Sequence, residues 1–156
     1  MSDRTNGGAG SPDLRSIAIR TLRLLERFPV DILQLMFRIA IAVVFFRSGL
    51  TKIASWESTV ALFREEYQVP LLPPELAAYM AATFELGCSA LLAFGLASRL
   101  ATLPLLGMTL VIQTFVYPEN WSEHLIWLAL LLFVLTRGPG AISLDRLLAP
   151  LLIGRR

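Results

Sequence analysis

Residues 31–53 read DILQLMFRIAIAVVFFRSGLTKI, and this stretch decides the fold class. A spanning α-helix needs roughly 20 consecutive, mostly apolar residues, because the hydrocarbon core of a bilayer is about 30 Å thick. The stretch meets this requirement although it contains Arg38, Arg47 and Lys52. It therefore predicts a transmembrane helix that carries charged side chains to membrane depth.

Three further apolar stretches follow, and the sequence predicts an all-α membrane four-helix bundle within residues 29–150. The predicted spans are about residues 31–53, 74–96, 100–117 and 121–136. Composition agrees with this prediction, since 55% of the residues are hydrophobic, only 17% are charged and the mean hydropathy is +0.63. About a quarter of the residues of a soluble domain are charged.

The two ends of the chain lie outside the predicted bundle. Residues 1–13 are rich in Gly and Ser and poor in apolar residues, which predicts disorder. Residues 14–28 combine an apolar stripe with an arginine stripe at helical spacing. This pattern favours an amphipathic helix in the headgroup plane of an anionic leaflet; the alternative is a helix packed on the aqueous side of the bundle. Residues 151–156 form a short tail.

The distribution of basic residues predicts the orientation, because cytoplasmic loops carry an excess of Lys and Arg. With the N-terminus in the cytoplasm, that side holds most of the arginines: Arg4, Arg15, Arg20, Arg23, Arg27, Arg99, Arg137, Arg146, Arg155 and Arg156. The opposite loops are mainly acidic. We therefore expect a bacterial inner (plasma) membrane protein with both termini in the cytoplasm.

Cysteine and histidine content limits the chemistry of the chain. It has one cysteine, Cys88, and one histidine, His124, so an internal disulfide, a CxxC redox pair and a structural zinc site are excluded. We predict no metal site and no intrinsic cofactor, and any redox role would use a borrowed carrier such as a quinone. The formal net charge of +2 gives no indication of a nucleic-acid partner.

Ionisable groups at membrane depth usually face the bundle interior and have a partner. At ~1.5 Å per residue, Arg38 and Glu85 come within about 4 Å of the same depth in a core about 30 Å thick. We predict that they form an ion pair, whose role is either functional or only to fix helix docking. The helical wheel turns Arg38, Gly49 and Lys52 inward and Arg47 outward, with Gly49 allowing close helix approach.

A second polar group lies toward the other membrane face. Lys52, Gln113 and His124 are accompanied by several aromatic residues, and they form a candidate site for a small anion or a quinone head group. His124 is suited to proton transfer because the ordinary pKa of histidine is close to neutral pH. The alternative is that His124 is an interfacial residue at the start of a short span.

Three segments together resemble the DoxX family. They are FRIAIAVVFFRSGLTKI at residues 37–53, FELGCSALLAFGLASRLAT at 84–102, and RGPGAISLDRLL at 137–148. The last is the most specific. In it, Gly138, Pro139 and Gly140 are expected to end the fourth helix, and Asp145 to cap a helix or to pair with a basic residue such as Arg99.

The resemblance implies a small bacterial membrane protein of four spans. Some members of the family are similar to small subunits of a thiosulfate:quinone oxidoreductase, another is linked to an oxidoreductase complex, and distant animal relatives are assembly factors. It therefore implies an accessory subunit or scaffold of a redox-linked membrane complex, with the lipid bilayer, a protein partner or a second copy as its contacts. The alternatives are a quinone-binding oxidoreductase subunit acting on a sulfur compound such as thiosulfate, and a small-solute transporter. Whether the chain is an enzyme stays open.

Overall fold

The computed structural model describes residues 13–152, and all regular structure in this part of the chain is helical. The helices are α1 (Leu14–Glu26), α2 (Val30–Ala54), α3 (Trp56–Leu62), α4 (Pro74–Phe94), α5 (Ser98–Val111), α6 (Trp121–Arg137) and α7 (Leu144–Leu152). Two π-helical turns, Phe63–Tyr67 and Ile112–Val116, continue α3 and α5. The all-α prediction is confirmed. The predicted disorder concerns residues 1–13, of which all but Asp13 lie outside the described residues, as does most of the predicted tail.

Two of the described helices are long and apolar enough to cross a membrane. They are α4 and the continuous helix Ser98–Val116. α1 and α2 pass the same test together, although a bend of 60° separates them. α6 has 17 residues, at the lower limit of what a bilayer requires. Length and composition thus support a helical membrane protein with two or three candidate spans.

The long helices α2, α4, α5 and α6 form a bundle in which each packs against two others. Large apolar side chains cover its outward faces, including Leu103, Leu110, Leu125 and Ile126. Its interior contains Ile41, Ala42, Phe45, Cys88, Leu92, Ala101, Leu105, Leu131 and Val134. A bundle that is apolar on both its inner and outer surfaces is suited to a lipid environment.

α1 stands apart from this bundle. None of its residues is buried, and its apolar stripe, which includes Leu14, Ile17 and Leu25, is exposed. Pro29 lies at the break before α2, where its ring removes a backbone N–H and restricts the preceding residue. The helix therefore presents a free amphipathic surface.

Two glycines set the register between the antiparallel helices α2 and α4. A Cβ on Gly49 would lie 2.8 Å from Leu86 Cγ, and a Cβ on Gly95 would lie 2.6 Å from Arg38 Nη1. Gly49 is thus level with Glu85 and Leu86, and Arg38 is level with Gly95. The close approach expected at Gly49 is present in this packing.

This register contradicts the predicted Arg38–Glu85 ion pair. Arg38 lies eleven residues from Gly49 along α2, which is about 16 Å at ~1.5 Å per residue. Glu85 is level with Gly49 and is therefore out of reach of the guanidinium. The depth estimate failed because α2 extends beyond the end of α4, whereas the prediction assumed that the two helices end at the same level.

The guanidinium of Arg38 instead binds the segment that follows α6. Nη1 donates to the carbonyl oxygen of Pro139 at 2.7 Å, and Nη2 donates to that of Ile142 at 2.9 Å. Gln34, one turn away on α2, donates to the carbonyl oxygen of Arg137 at 3.3 Å. Only 2% of Arg38 is exposed, so a buried side chain supplies donors to carbonyl groups that have left the helix.

Asp145 fixes the other side of this segment. Its carboxylate accepts hydrogen bonds from the backbone N–H groups of Ala97, at 2.7 Å, and Ser98, at 3.0 Å. It thereby caps the start of α5, where an acidic group is favourable to the helix dipole. Of the two predicted roles of Asp145, the structure has the cap. Arg99 contacts the carbonyl oxygen of Thr136 at 3.4 Å instead.

Gly138 lies at the C-terminal cap of α6, with a φ of +81°. Pro139 follows it, and Gly140 has a φ of +86°, in the region that favours glycine. A Cβ on Gly140 would lie 2.8 Å from Gln34 Oε1. The Gly-Pro-Gly sequence therefore ends α6 and lets the chain pass close to α2.

We expect Gly95→Ala to destabilise the protein by ~1–2 kcal/mol from backbone strain alone, because Gly95 has a φ of +70°. Contact of the new methyl group with Arg38 would add to this loss. Gly87→Ala is the matched control, since Gly87 lies within α4 and a Cβ there would meet no atom within 4 Å. Thermal unfolding in detergent should show a lower Tm for Gly95→Ala only. Equal Tm values for the two variants would contradict the register described above.

Candidate functional site

A cavity of about 440 Å³ lies at the end of the bundle remote from Arg38. α2, α4, α5, the start of α6 and both π-helical turns contribute to its wall. The wall is mainly apolar and includes Phe45, Phe84, Met108 and Trp127. Its size and lining are those of small-molecule sites, which combine apolar walls with a few converging polar groups.

Lys52 and Glu85 form the ionic centre of this wall. Lys52 Nζ lies 2.9 Å from each carboxylate oxygen of Glu85. Ser48, one turn before Lys52, accepts a hydrogen bond from Nζ at 2.9 Å and donates to Glu85 Oε1 at 3.2 Å. The acid expected to pair with Arg38 is therefore neutralised by Lys52. The helical wheel had already placed Lys52 on the inward face of α2, but it gave no information on register.

The carboxylate of Glu85 retains capacity for a further hydrogen bond. Its side chain is 3% exposed, and within residues 13–152 no donor has hydrogen-bond geometry to Oε2, although Lys52 Nζ is close to it. Lys52 itself uses two of its three N–H donors, on Ser48 and Glu85. Of the pair, Lys52 is the partly exposed member and is placed to donate to a molecule in the cavity, whereas Oε2 of Glu85 is covered.

His124 is the second titratable group at the cavity, and Gln113 orients it. Gln113 Nε2 donates to the carbonyl oxygen of Pro118 at 2.7 Å, so Oε1 faces His124 Nδ1, 2.6 Å away. Because that oxygen can only accept, Nδ1 carries the proton, and Nε2 is left as the ring nitrogen available to a ligand. Of the predicted site residues, Lys52 and His124 line the cavity, and Gln113 lies behind the imidazole.

Two π-helical turns contribute to the wall of the cavity. Phe63–Tyr67 supplies Phe63 and Tyr67, and Ile112–Val116 supplies its first and last residues. A π-helical turn contains an extra residue and changes the direction of the side chains that follow, and such turns often occur at functional sites. The sequence analysis missed both turns, because neither has a recognisable sequence signature.

Two tyrosines line the cavity. The ring centroids of Tyr67 and Tyr117 are 5.8 Å apart, and Tyr117 Oη donates to Glu66 Oε1 at 2.7 Å. Burial raises the pKa of Tyr67, and the hydrogen bond to Glu66 raises the pKa of Tyr117. A raised pKa keeps a phenol protonated, so both side chains stay neutral at physiological pH.

A second, more open cleft of about 510 Å³ lies at the Arg38 end of the bundle. Arg99, Arg137 and Arg146 line it, together with Asp31 and Asp145. Both carboxylates are occupied by backbone N–H groups, that of Asp31 by Ala141 at 2.8 Å. Across residues 13–152, no group of three His, Cys, Asp or Glu side chains could hold a metal ion.

Comparison with known proteins identifies one related family. The sequence model of a family described as DoxX matches residues 33–118, which is more than half of the chain. The matched segment includes Arg38 and the Lys52–Glu85 pair, and it ends before His124. No curated protein and no solved structure matches the chain.

We expect Lys52→Met to destabilise the protein by about 3 kcal/mol, because it leaves the buried carboxylate of Glu85 without its cation. Glu85→Gln should cost less, since Lys52 is 15% exposed and its ammonium group has access to water. The double variant should recover much of the stability lost in Lys52→Met. These effects are measured as a double-mutant cycle from thermal unfolding in detergent.

Arg47→Met is the matched control for this cycle, because Arg47 lies on the exposed face of the same helix. It should leave the Tm nearly unchanged. If Lys52→Met lowers the Tm no more than Arg47→Met does, loss of the Lys52–Glu85 pair does not destabilise the protein as predicted.

Proposed function

This chain belongs to the DoxX family, and from that premise we propose that it is a quinone-binding accessory subunit of a membrane-associated redox complex. Family membership alone does not give an activity, so the proposal depends on the site. One observation carries it: a mainly apolar cavity of about 440 Å³ whose polar groups include Lys52, Glu85 and His124.

The chemistry of a quinone head group matches these residues. Its carbonyl oxygens accept hydrogen bonds, and Lys52 has an unused N–H donor beside Glu85. A bound quinone supplies two-electron chemistry that also requires two protons. Glu85 and His124 are the titratable groups placed to hold those protons. With one cysteine and one histidine in the chain, we assign the electron source to a partner protein.

The charge balance favours a neutral ligand over thiosulfate. Lys52 is already paired with Glu85, and Glu123 adds a second carboxylate at the cavity. A doubly charged anion would meet these carboxylates without an uncompensated lysine or arginine among the residues lining the wall. A neutral quinone is therefore better suited to this cavity than thiosulfate is.

Transport by a single chain has less support than ligand binding. The two cavities lie at opposite ends of the bundle, and buried apolar side chains such as Phe45, Leu92, Leu105 and Leu131 fill the space between them. A continuous polar path would have to cross this packed core. The scaffold role is compatible with quinone binding, since an accessory subunit also contacts its partners.

We propose four crossings, by α2, α4, α5 with its π-helical turn, and α6, in a bacterial inner membrane with both termini in the cytoplasm. The excess of arginine at the Arg38 end of the bundle supports this orientation. We also propose that α1 lies in the cytoplasmic headgroup layer. Its 60° bend from α2, its exposed apolar stripe and its arginines support that position.

Quinone binding is tested with the purified protein in detergent. Decylubiquinone should quench the fluorescence of Trp127, which lines the cavity. His124→Phe combined with Gln113→Leu removes the imidazole without leaving a buried amide unsatisfied, and it should weaken binding about tenfold, the equivalent of one hydrogen bond. Thr114→Val is the control, because Thr114 lies in the same π-helical turn with its side chain exposed. Excess thiosulfate should not compete.

Two results would count against the proposal. Absence of saturable quenching in the wild type would remove quinone binding at this cavity. If thiosulfate displaces decylubiquinone at concentrations that do not themselves change the fluorescence of Trp127, the sulfur-oxyanion alternative is favoured instead.

The four crossings are tested by labelling single introduced cysteines with a membrane-impermeant maleimide. The natural Cys88 is buried and should give a low background. Ser58→Cys and Glu119→Cys should react in intact spheroplasts, whereas Ala141→Cys should react only after permeabilisation; all three positions are exposed. If Ser58→Cys and Glu119→Cys label from opposite sides, the proposed topology is wrong.

A further inference from the structure

Gly107 of α5 lies on the rim of the cavity. It lines the cavity and is exposed on the outer surface, and a Cβ there would meet no atom within 4 Å. Met80 of α4 also lines the cavity and is 38% exposed. The cavity therefore reaches the outer face of the bundle between α4 and α5.

The same two helices are closed at their other end. Leu92 of α4 is fully buried there, and Ala101 of α5 is nearly so. Asp145 binds the first backbone N–H groups of α5 there and also donates its own N–H to the carbonyl oxygen of Gly95 at 2.8 Å. α4 and α5 thus part only at the level of the cavity.

The lateral opening is apolar, unlike the end of the cavity near the α5–α6 connection. Met80, Phe84, Pro104 and Met108 surround it, whereas Asn120 and Glu123 lie at the other end. In a bilayer, the outer faces of α4 and α5 contact hydrocarbon, where a charged solute is excluded and an alkyl chain is soluble.

We infer that this opening is a lateral portal through which the tail of a lipid-soluble ligand extends into the bilayer while its head group occupies the site. The inference rests on the proposed function and narrows it to tailed, membrane-dissolved quinones. A side chain at position 107 would then occupy the space of the tail and leave Lys52, Glu85 and His124 in place.

Gly107→Leu tests the portal, and Gly87→Leu is its matched control. Both glycines are helical, exposed and free of atoms within 4 Å of a built Cβ, but Gly87 does not line the cavity. Affinities for decylubiquinone and for the tail-less duroquinone are measured by Trp127 quenching. Gly107→Leu should weaken decylubiquinone binding at least tenfold and leave duroquinone binding unchanged, whereas Gly87→Leu should change neither.

The outcomes separate this inference from the function on which it rests. If the wild type binds both quinones and Gly107→Leu matches Gly87→Leu, the portal is wrong and quinone binding stands. If Gly107→Leu loses both quinones equally, the side chain blocks the head-group site and the portal is also wrong. If the wild type binds neither quinone, the proposed function fails and the inference fails with it.

Discussion

Two positions without a side chain, Gly49 and Gly95, determine how α2 lies against α4. At each of them a methyl group would collide with the facing helix or with Arg38. Van der Waals contact at these positions sets the axial register, and the register determines which charged groups meet. At this axial register Lys52 meets Glu85, and Arg38 meets the chain segment that follows α6.

Arg38 and Lys52 are held by different kinds of partner, and the difference separates structure from function. Arg38 donates to the carbonyl oxygens of Pro139 and Ile142, so it fixes the position of the segment that follows α6. Lys52 is bound to a carboxylate in the wall of a cavity, and one of its three N–H donors is not hydrogen-bonded. Spare hydrogen-bonding capacity in the wall of a mainly apolar cavity is what a ligand requires, and the Lys52 end of the bundle has it.

The pairing of Lys52 with Glu85 also bears on which kind of ligand the cavity can bind. Glu85 cancels the charge of Lys52, so the apolar cavity contains polar groups without a strong net field for anions. A neutral, polar head group fits that environment, and the opening at Gly107 gives an apolar tail access to the hydrocarbon. The proposed portal and the proposed head-group site are thus two consequences of one arrangement of α2, α4 and α5.

The sequence by itself determined the helical class of the fold and the positions of the long helices, because apolar runs and helix-breaking residues act locally. The predicted spans 31–53 and 74–96 agree closely with Val30–Ala54 and Pro74–Phe94. The partner of Glu85 could not be determined this way, since it depends on how far α2 extends past α4. The two π-helical turns and the cavity were likewise decided only by tertiary packing, because they depend on contacts between residues that are distant in the chain.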